Sequence, residues 1–164
     1  MNTLLRALRL LAIVVWVGGL IFFAFVEAPT AFKVMGANSQ FALLINWSLA
    51  KLNEGGHLCG FVFILATLAM RYRQAHRTNL TAQMLLVLLM ILATGYVQAS
   101  IIPSMERDRA AAGGDIAAVP ASNPARIDFD RLHAFSEKVG GSALLLGLAV
   151  VFLMATEPSA VPSA

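Results

Sequence analysis

The chain has 164 residues, 59% of them hydrophobic and only 13% charged, against roughly 25% charged in a soluble domain. Its mean hydropathy is +0.75. Twelve Lys and Arg against nine Asp and Glu leave a net charge of +3, with no basic, aromatic-interleaved patch of the kind that grips nucleic acid. These figures exclude a disordered chain, a fibrous protein and an ordinary soluble enzyme. They leave one small integral membrane domain over residues 1–164, with the lipid bilayer as its main partner.

The first apolar block, 10–26, follows Arg6 and Arg9 and is long for the core of a signal peptide. Val26-Glu27-Ala28 is a poor cleavage site, and Pro29 follows it. The block therefore reads as a retained span over about residues 8–28, ended by the proline after Glu27. The second span, 56–72, is short for the ~20 residues a bilayer needs. The amphipathic stretch before it extends the helix outward, with Asn38 or Ser39 as N-cap. The third span, 81–102, ends at Pro103. Gly113-Gly114 breaks the chain after it. Asn123-Pro124 reads as an N-cap with proline at the first helical position, so the fourth span, 135–156, begins well outside the bilayer.

Short basic ends set the orientation. Arg71, Arg73 and Arg77 crowd the loop between the second and third spans, and Arg6 and Arg9 precede the first. The positive-inside rule then places both termini in the cytoplasm of a bacterial inner membrane and the segments 29–55 and 103–134 outside. The expected fold class is all-α: an integral-membrane four-helix up-down bundle with helical extracytoplasmic extensions.

Small residues mark close helix packing: Gly56 and Gly60 in a GxxxG spacing, Ala143 with Gly147, and Gly18-Gly19, Gly95 and Gly140-Gly141. The same faces suit a homo-oligomer or a larger membrane complex equally well. Trp16, Thr67, Thr94, Tyr96, Gln98 and Ser142 are the main polar residues within the spans. Gln98 is expected to make an interhelical hydrogen bond, and Trp16 to donate one inside the bundle. Cys59, the single cysteine, permits no intrachain disulfide and reads as a small buried hydrophobe. His76, in the basic loop, reads as a solvated residue.

Candidate chemistry gathers on the extracytoplasmic side. Glu54 and His57 lie three apart at the start of the second span, and Asp130, His133 and Glu137 share a face at the start of the fourth. Glu27 follows the first span and Glu106 the third. Two carboxylate-x-x-His pairs with one Glu from each other helix is the ligand recipe of di-metal carboxylate bundles. Such donors suit zinc, iron, manganese or copper, and His57 with His133 alone suits axial haem ligation. The competing reading makes these residues caps, dipole partners and interface charges, with Asp128 or Asp130 capping the fourth helix.

Two motif sets carry a family resemblance. Trp16-Val-Gly-Gly19, Phe22-Phe23 and Ala28-Pro-Thr-Ala-Phe32 open the chain. Ile102-Pro103 follows the third span, and Phe129-x-x-Leu132-His133-x-x-Ser136 precedes the fourth. In this order the chain resembles the transmembrane protein 205-like family, small four-helix membrane proteins whose bacterial members carry a domain of unknown function. The resemblance implies the architecture and picks out Trp16, Gly19, Pro29, Phe32, Pro103, Phe129, His133 and Ser136 as motif positions. Glu54 and His57 match no motif. The Trp-x-Gly-Gly helix also resembles openings of copper-resistance D-type proteins and of the haem-bearing four-span protoporphyrinogen oxidase. Those carry a histidine before that helix, where this chain has Arg6-Ala-Leu-Arg-Leu10. Three functional classes stand at this point: a non-enzymatic membrane protein of that family type, a metal or haem protein in redox or metal handling, and an accessory subunit. The motif histidine and Ser136 are expected to close a polar network with Glu27 or Glu106.

Overall fold

The computed structural model describes residues 2–36, 38–73 and 78–157, and among them there are helices and turns but no strand. Helix α1 (Asn2–Phe22) runs through a π-helical turn, Phe23–Glu27, into α2 (Ala28–Met35). Helix α3 (Ser39–Arg73) is unbroken. Helix α4 (Thr78–Tyr96) runs through a second π-helical turn, Val97–Ile101, into α5 (Ile102–Ala111). Helix α6 (Pro124–Ala155) is unbroken. They make four rods: α1–α2, α3, α4–α5 and α6. Each is long and apolar enough to cross a membrane, at 32 to 34 residues. At 1.5 Å per residue such a rod is roughly 50 Å long, so it outreaches the ~30 Å hydrocarbon core. The loop residues His76 and Arg77 lie outside the described residues.

Local chemistry explains the boundaries. Asn38 caps α3: its side-chain oxygen accepts from the Phe41 N–H at 2.8 Å. Asn123 caps α6 through the Ala125 N–H at 2.9 Å, with Pro124 in the first turn; neither Asp128 nor Asp130 does so. Gly113 and Gly114, at φ 83° and 97°, take the left-handed backbone that closes α5.

The prolines do not end their helices. Pro29 and Pro103 sit just beyond the two π turns, and the helix continues through both, to Met35 and Ala111. A proline inside an α-helix removes one N–H and clashes with the carbonyl four residues back. Here the preceding turn widens. The Ala28 N–H reaches the Phe23 carbonyl and the Ile102 N–H reaches the Val97 carbonyl, each five residues back. The extra residue accommodates the ring and keeps the rod continuous.

Helix α1 packs against α3 and α6, and α4 packs against the same two, so the rods close into a bundle. The buried positions follow a 3-4 spacing. Along α4 and the π turn after it they are Leu80, Gln83, Val87, Met90, Thr94, Val97 and Ile101, and in α3 they include Asn53, Phe63, Thr67 and Met70, with Gly56 and Gly60 between. That is the seam of coiled-coil-like packing. Outward faces carry Leu10, Val14, Phe61, Leu65, Leu92, Leu145 and Phe152, all exposed, as a bilayer requires and water does not.

The glycines divide into two kinds. A Cβ at Gly56 would collide with the Trp16 indole, and one at Gly60 would lie 2.9 Å from both Trp16 and Ile91. The GxxxG face is therefore a slot for the fully buried Trp16. A Cβ added at Gly19 would lie 2.6 Å from Leu52, and one at Gly147 2.6 Å from Val17. In contrast, Gly18, Gly140 and Gly141 have nothing within 4 Å of an added Cβ, so close packing does not explain them.

Candidate functional site

The α6 seam continues in both directions at the same spacing: Phe129, His133, Ser136, Gly140, Ala143, Gly147, Val150, Met154 and Glu157. From Ala143 toward Glu157 it meets the other rods in a packed core. From Gly140 toward Phe129 it faces a cavity of about 650 Å³. The α3 seam does the same, with Asn53, Leu49, Asn46, Ala42 and Ser39 on the cavity wall.

The π turns explain why the seams part. Each inserts one residue, which rotates everything beyond it. A strict 3-4 spacing from Ile101 would bring Ser104 and Asp108 inward; instead Met105 and Arg109 reach the wall. Likewise Ala28 and Phe32 line the cavity, and Glu27 does not. Beyond the turns, Ala28, Phe32 and Met105, together with Arg109, line the cavity wall. π turns inside α-helices recur at functional sites.

Neutral polar groups form the floor. Asn53 is 2% exposed and donates from Nδ2 to Gln98 Oε1 at 3.1 Å, so the expected interhelical bond of Gln98 is present. Thr94, 4% exposed, donates to the Met90 carbonyl at 2.8 Å and lies 3.0 Å from His57 Nε2. His57 also meets the Trp16 ring edge-on at 6.4 Å. Trp16 Nε1 has no hydrogen-bond partner among the described residues, contrary to the donor role expected of it.

Charged groups pair on the wall and toward the exposed edge. Arg109 pairs with Glu106 and lies over the Phe129 ring at 5.3 Å, while Asn46 also donates to Glu106. Phe129 stacks on His133, whose Nε2 is 3.4 Å from Glu137. Ser136 donates to the His133 carbonyl, one turn back. The expected network of His133 and Ser136 with Glu27 or Glu106 is therefore replaced by contacts within α6.

Five of the six candidate ligands find separate partners, and none of those partners is another candidate. Glu54 pairs with Lys51 at 2.7 Å, Asp130 with Arg126 at 3.9 Å, Glu106 with Arg109, His133 with Glu137 and His57 with Thr94; Glu27 closes the first π turn. Among the described residues no three His, Cys, Asp or Glu side chains are grouped to hold a metal ion. Most of these acids sit three or four residues from a base on their own helix, and that neighbour claims each of them first. The motif positions do converge. Phe32, Phe129, His133 and Ser136 line the cavity, Pro29 and Pro103 follow its two π turns, and Trp16 and Gly19 pack beneath it.

A second polar layer lies at the opposite end. Arg9 reads in the sequence as a topology signal, yet its side chain is fully buried. It pairs with Glu157 at 2.8 Å, donates to Gln83, contacts Met70 Sδ at 3.3 Å and lies 5.2 Å from the Phe63 ring centroid. Gln83, also fully buried, donates to Glu157 at 2.9 Å. Burial alone would raise the Glu157 pKa. The hydrogen bonds from Arg9 and Gln83, with the charges of Arg9 and Arg6, outweigh it and hold the carboxyl below its ordinary value. Arg9, Met70 and Gln83 come from three rods and Glu157 from just past the end of α6, so they form a single layer at the end of the seam. That register is the signal by which they are legible in the sequence.

A family model described as a domain of unknown function (DUF4149) matches residues 11–112, from within α1 to the end of α5, with both π turns inside the match. No curated protein and no solved structure matches the chain. The matched region is more than half of the chain, and the chain belongs to the DUF4149 family.

Proposed function

We propose that this chain is a non-enzymatic integral membrane protein that holds an apolar molecule in the wide end of an up-down four-rod bundle. The observation that carries the proposal is the cavity of about 650 Å³, to which all four rods contribute. Small-molecule sites are commonly ~300–1,000 Å³, mainly apolar, with a few placed polar groups. Asn53, Thr94 and Ser136 supply such groups. In this reading the Arg9 layer lies at the cytoplasmic side, beside Arg6 and Arg71, and the cavity opens extracytoplasmically from the inner membrane. The resemblance to the transmembrane protein 205-like family supports the same four-span architecture.

The test is solvent extraction of the purified protein followed by mass spectrometry. A near-stoichiometric apolar compound, enriched over the surrounding membrane and absent from a Gly140→Phe variant, is expected. Extracts that match bulk lipid in both proteins would overturn the proposal.

A further inference from the structure

The reading of the cavity as a ligand site leaves the ligand's chemistry open, and three features of the wall narrow it. The first is the pair Gly140 and Gly141. Both line the cavity, and a Cβ on either meets nothing within 4 Å. Glycine lowers helix stability relative to alanine, and no neighbouring backbone needs these two bare. What their lack of side chains provides is space along the α6 wall, and Ala24, Ala28 and Ala42 line the cavity from other rods.

The second feature is the floor. Asn53 is 2% exposed, its amide nitrogen donates to Gln98, and its carbonyl oxygen accepts no hydrogen bond among the described residues. Asn53 lines the cavity, so a cavity-bound group that donates to this oxygen would complete the amide's hydrogen bonding. The third feature is charge. Arg109, on the wall and largely buried, is already paired with Glu106, and the exposed His133 lies against Glu137. On the floor, Asn53 and Thr94 are neutral, so a charged ligand end would lose its hydration there without a counter-charge. A hydroxyl both donates and accepts, and it carries no charge.

We infer that the cavity takes an uncharged, hydroxyl-ended apolar molecule, its hydroxyl on the Asn53 floor and its body along the Gly140–Gly141 wall. This rests on the binding role proposed above.

The experiment is native mass spectrometry of the full chain in a fluorinated surfactant, whose tails mix poorly with hydrocarbon. Three probes share one chain: 1-dodecanol, dodecanoate and dodecyltrimethylammonium. The wild-type protein is expected to bind one equivalent of dodecanol about tenfold more tightly than either ion, a difference of about one good hydrogen bond. Asn53→Leu should erase that preference while alkyl binding persists. Gly140→Phe should bind none of the three, and Gly141→Leu, a smaller filling change, should weaken all three alike. Circular dichroism confirms that each variant is folded. Equal binding of the three probes by wild type, or an undiminished preference in Asn53→Leu, overturns the inference and leaves the binding role standing. No binding of any probe by wild type, or full binding by both filled variants, overturns the binding role itself.

Discussion

Consider removing the carboxylate of Glu157. Arg9 is fully buried, and Glu157 is its charge partner at 2.8 Å, with the second carboxylate oxygen at 3.5 Å. Glu157→Ala strands a guanidinium in an apolar layer beside Phe63 and Met70, and strips Gln83 of an acceptor. Breaking a buried pair from one side costs about 3–5 kcal/mol, whereas replacing both partners by well-packed apolar residues is often neutral or better. Against a typical total of about 5–15 kcal/mol, the single change is severe. Unfolding by SDS titration in mixed micelles, followed by circular dichroism, reads the loss. Glu157→Ala and Arg9→Met should each destabilise by about 3 kcal/mol or more, and Arg9→Met with Glu157→Leu should recover most of it. If the single variants lose under about 1 kcal/mol, or the cycle shows no coupling, Arg9 is solvated and the layer is not a staple.

Further outcomes follow from the same geometry. Because the folded Glu157 pKa is lowered, its stabilisation is complete above the ordinary carboxyl value and is lost as pH falls through the lower folded value. The melting temperature should therefore drop on acidification below about pH 4.5 more steeply in wild type than in Glu157→Gln. Gly60→Leu drives a side chain into Trp16 and Ile91 and should cost about 1–3 kcal/mol or more, read by the same titration, while Gly18→Leu should be mild. Thr94→Val removes a buried hydroxyl bonded to Met90 and His57 and should cost about 1 kcal/mol. His133→Ala, at an exposed site, should leave the melting temperature within about one degree of wild type.

Much of this architecture is legible from particular residues. Asn38 and Asn123 announce the helix starts because an Asn side chain satisfies free N–H groups there. Gly56 and Gly60 announce a close approach because only an absent side chain admits a ring. The prolines mislead. Pro29 and Pro103 look like stops, and only the backbone shows how a widened turn carries the helix past them. Arg9 misleads in another way, because a cation at the edge of an apolar block reads as a flank. Its burial depends on Glu157, 148 residues away, and on the shared seam register. The acids and histidines near the cavity look like one cluster because alternating spans put them at one end. Which neighbour each chooses is decided over a few ångströms, and helix-local bases are closest. The pairing of Asn53 with Gln98 on the cavity floor emerges only when the seams are placed together.

The most direct test of the divided bundle, packed below Asn53 and open above it, is thiol reactivity along one seam. In a Cys59→Ser background, cysteine replaces Gly140 on the cavity wall or Ala143 one turn deeper, where the side chain is fully buried. Intact membrane vesicles of known orientation are treated with a membrane-impermeant methanethiosulfonate reagent. With the orientation proposed above, the account predicts rapid labelling at 140 from the extracytoplasmic face alone and little at 143. Equal rates at the two positions, or labelling at 140 from the cytoplasmic face, would contradict it.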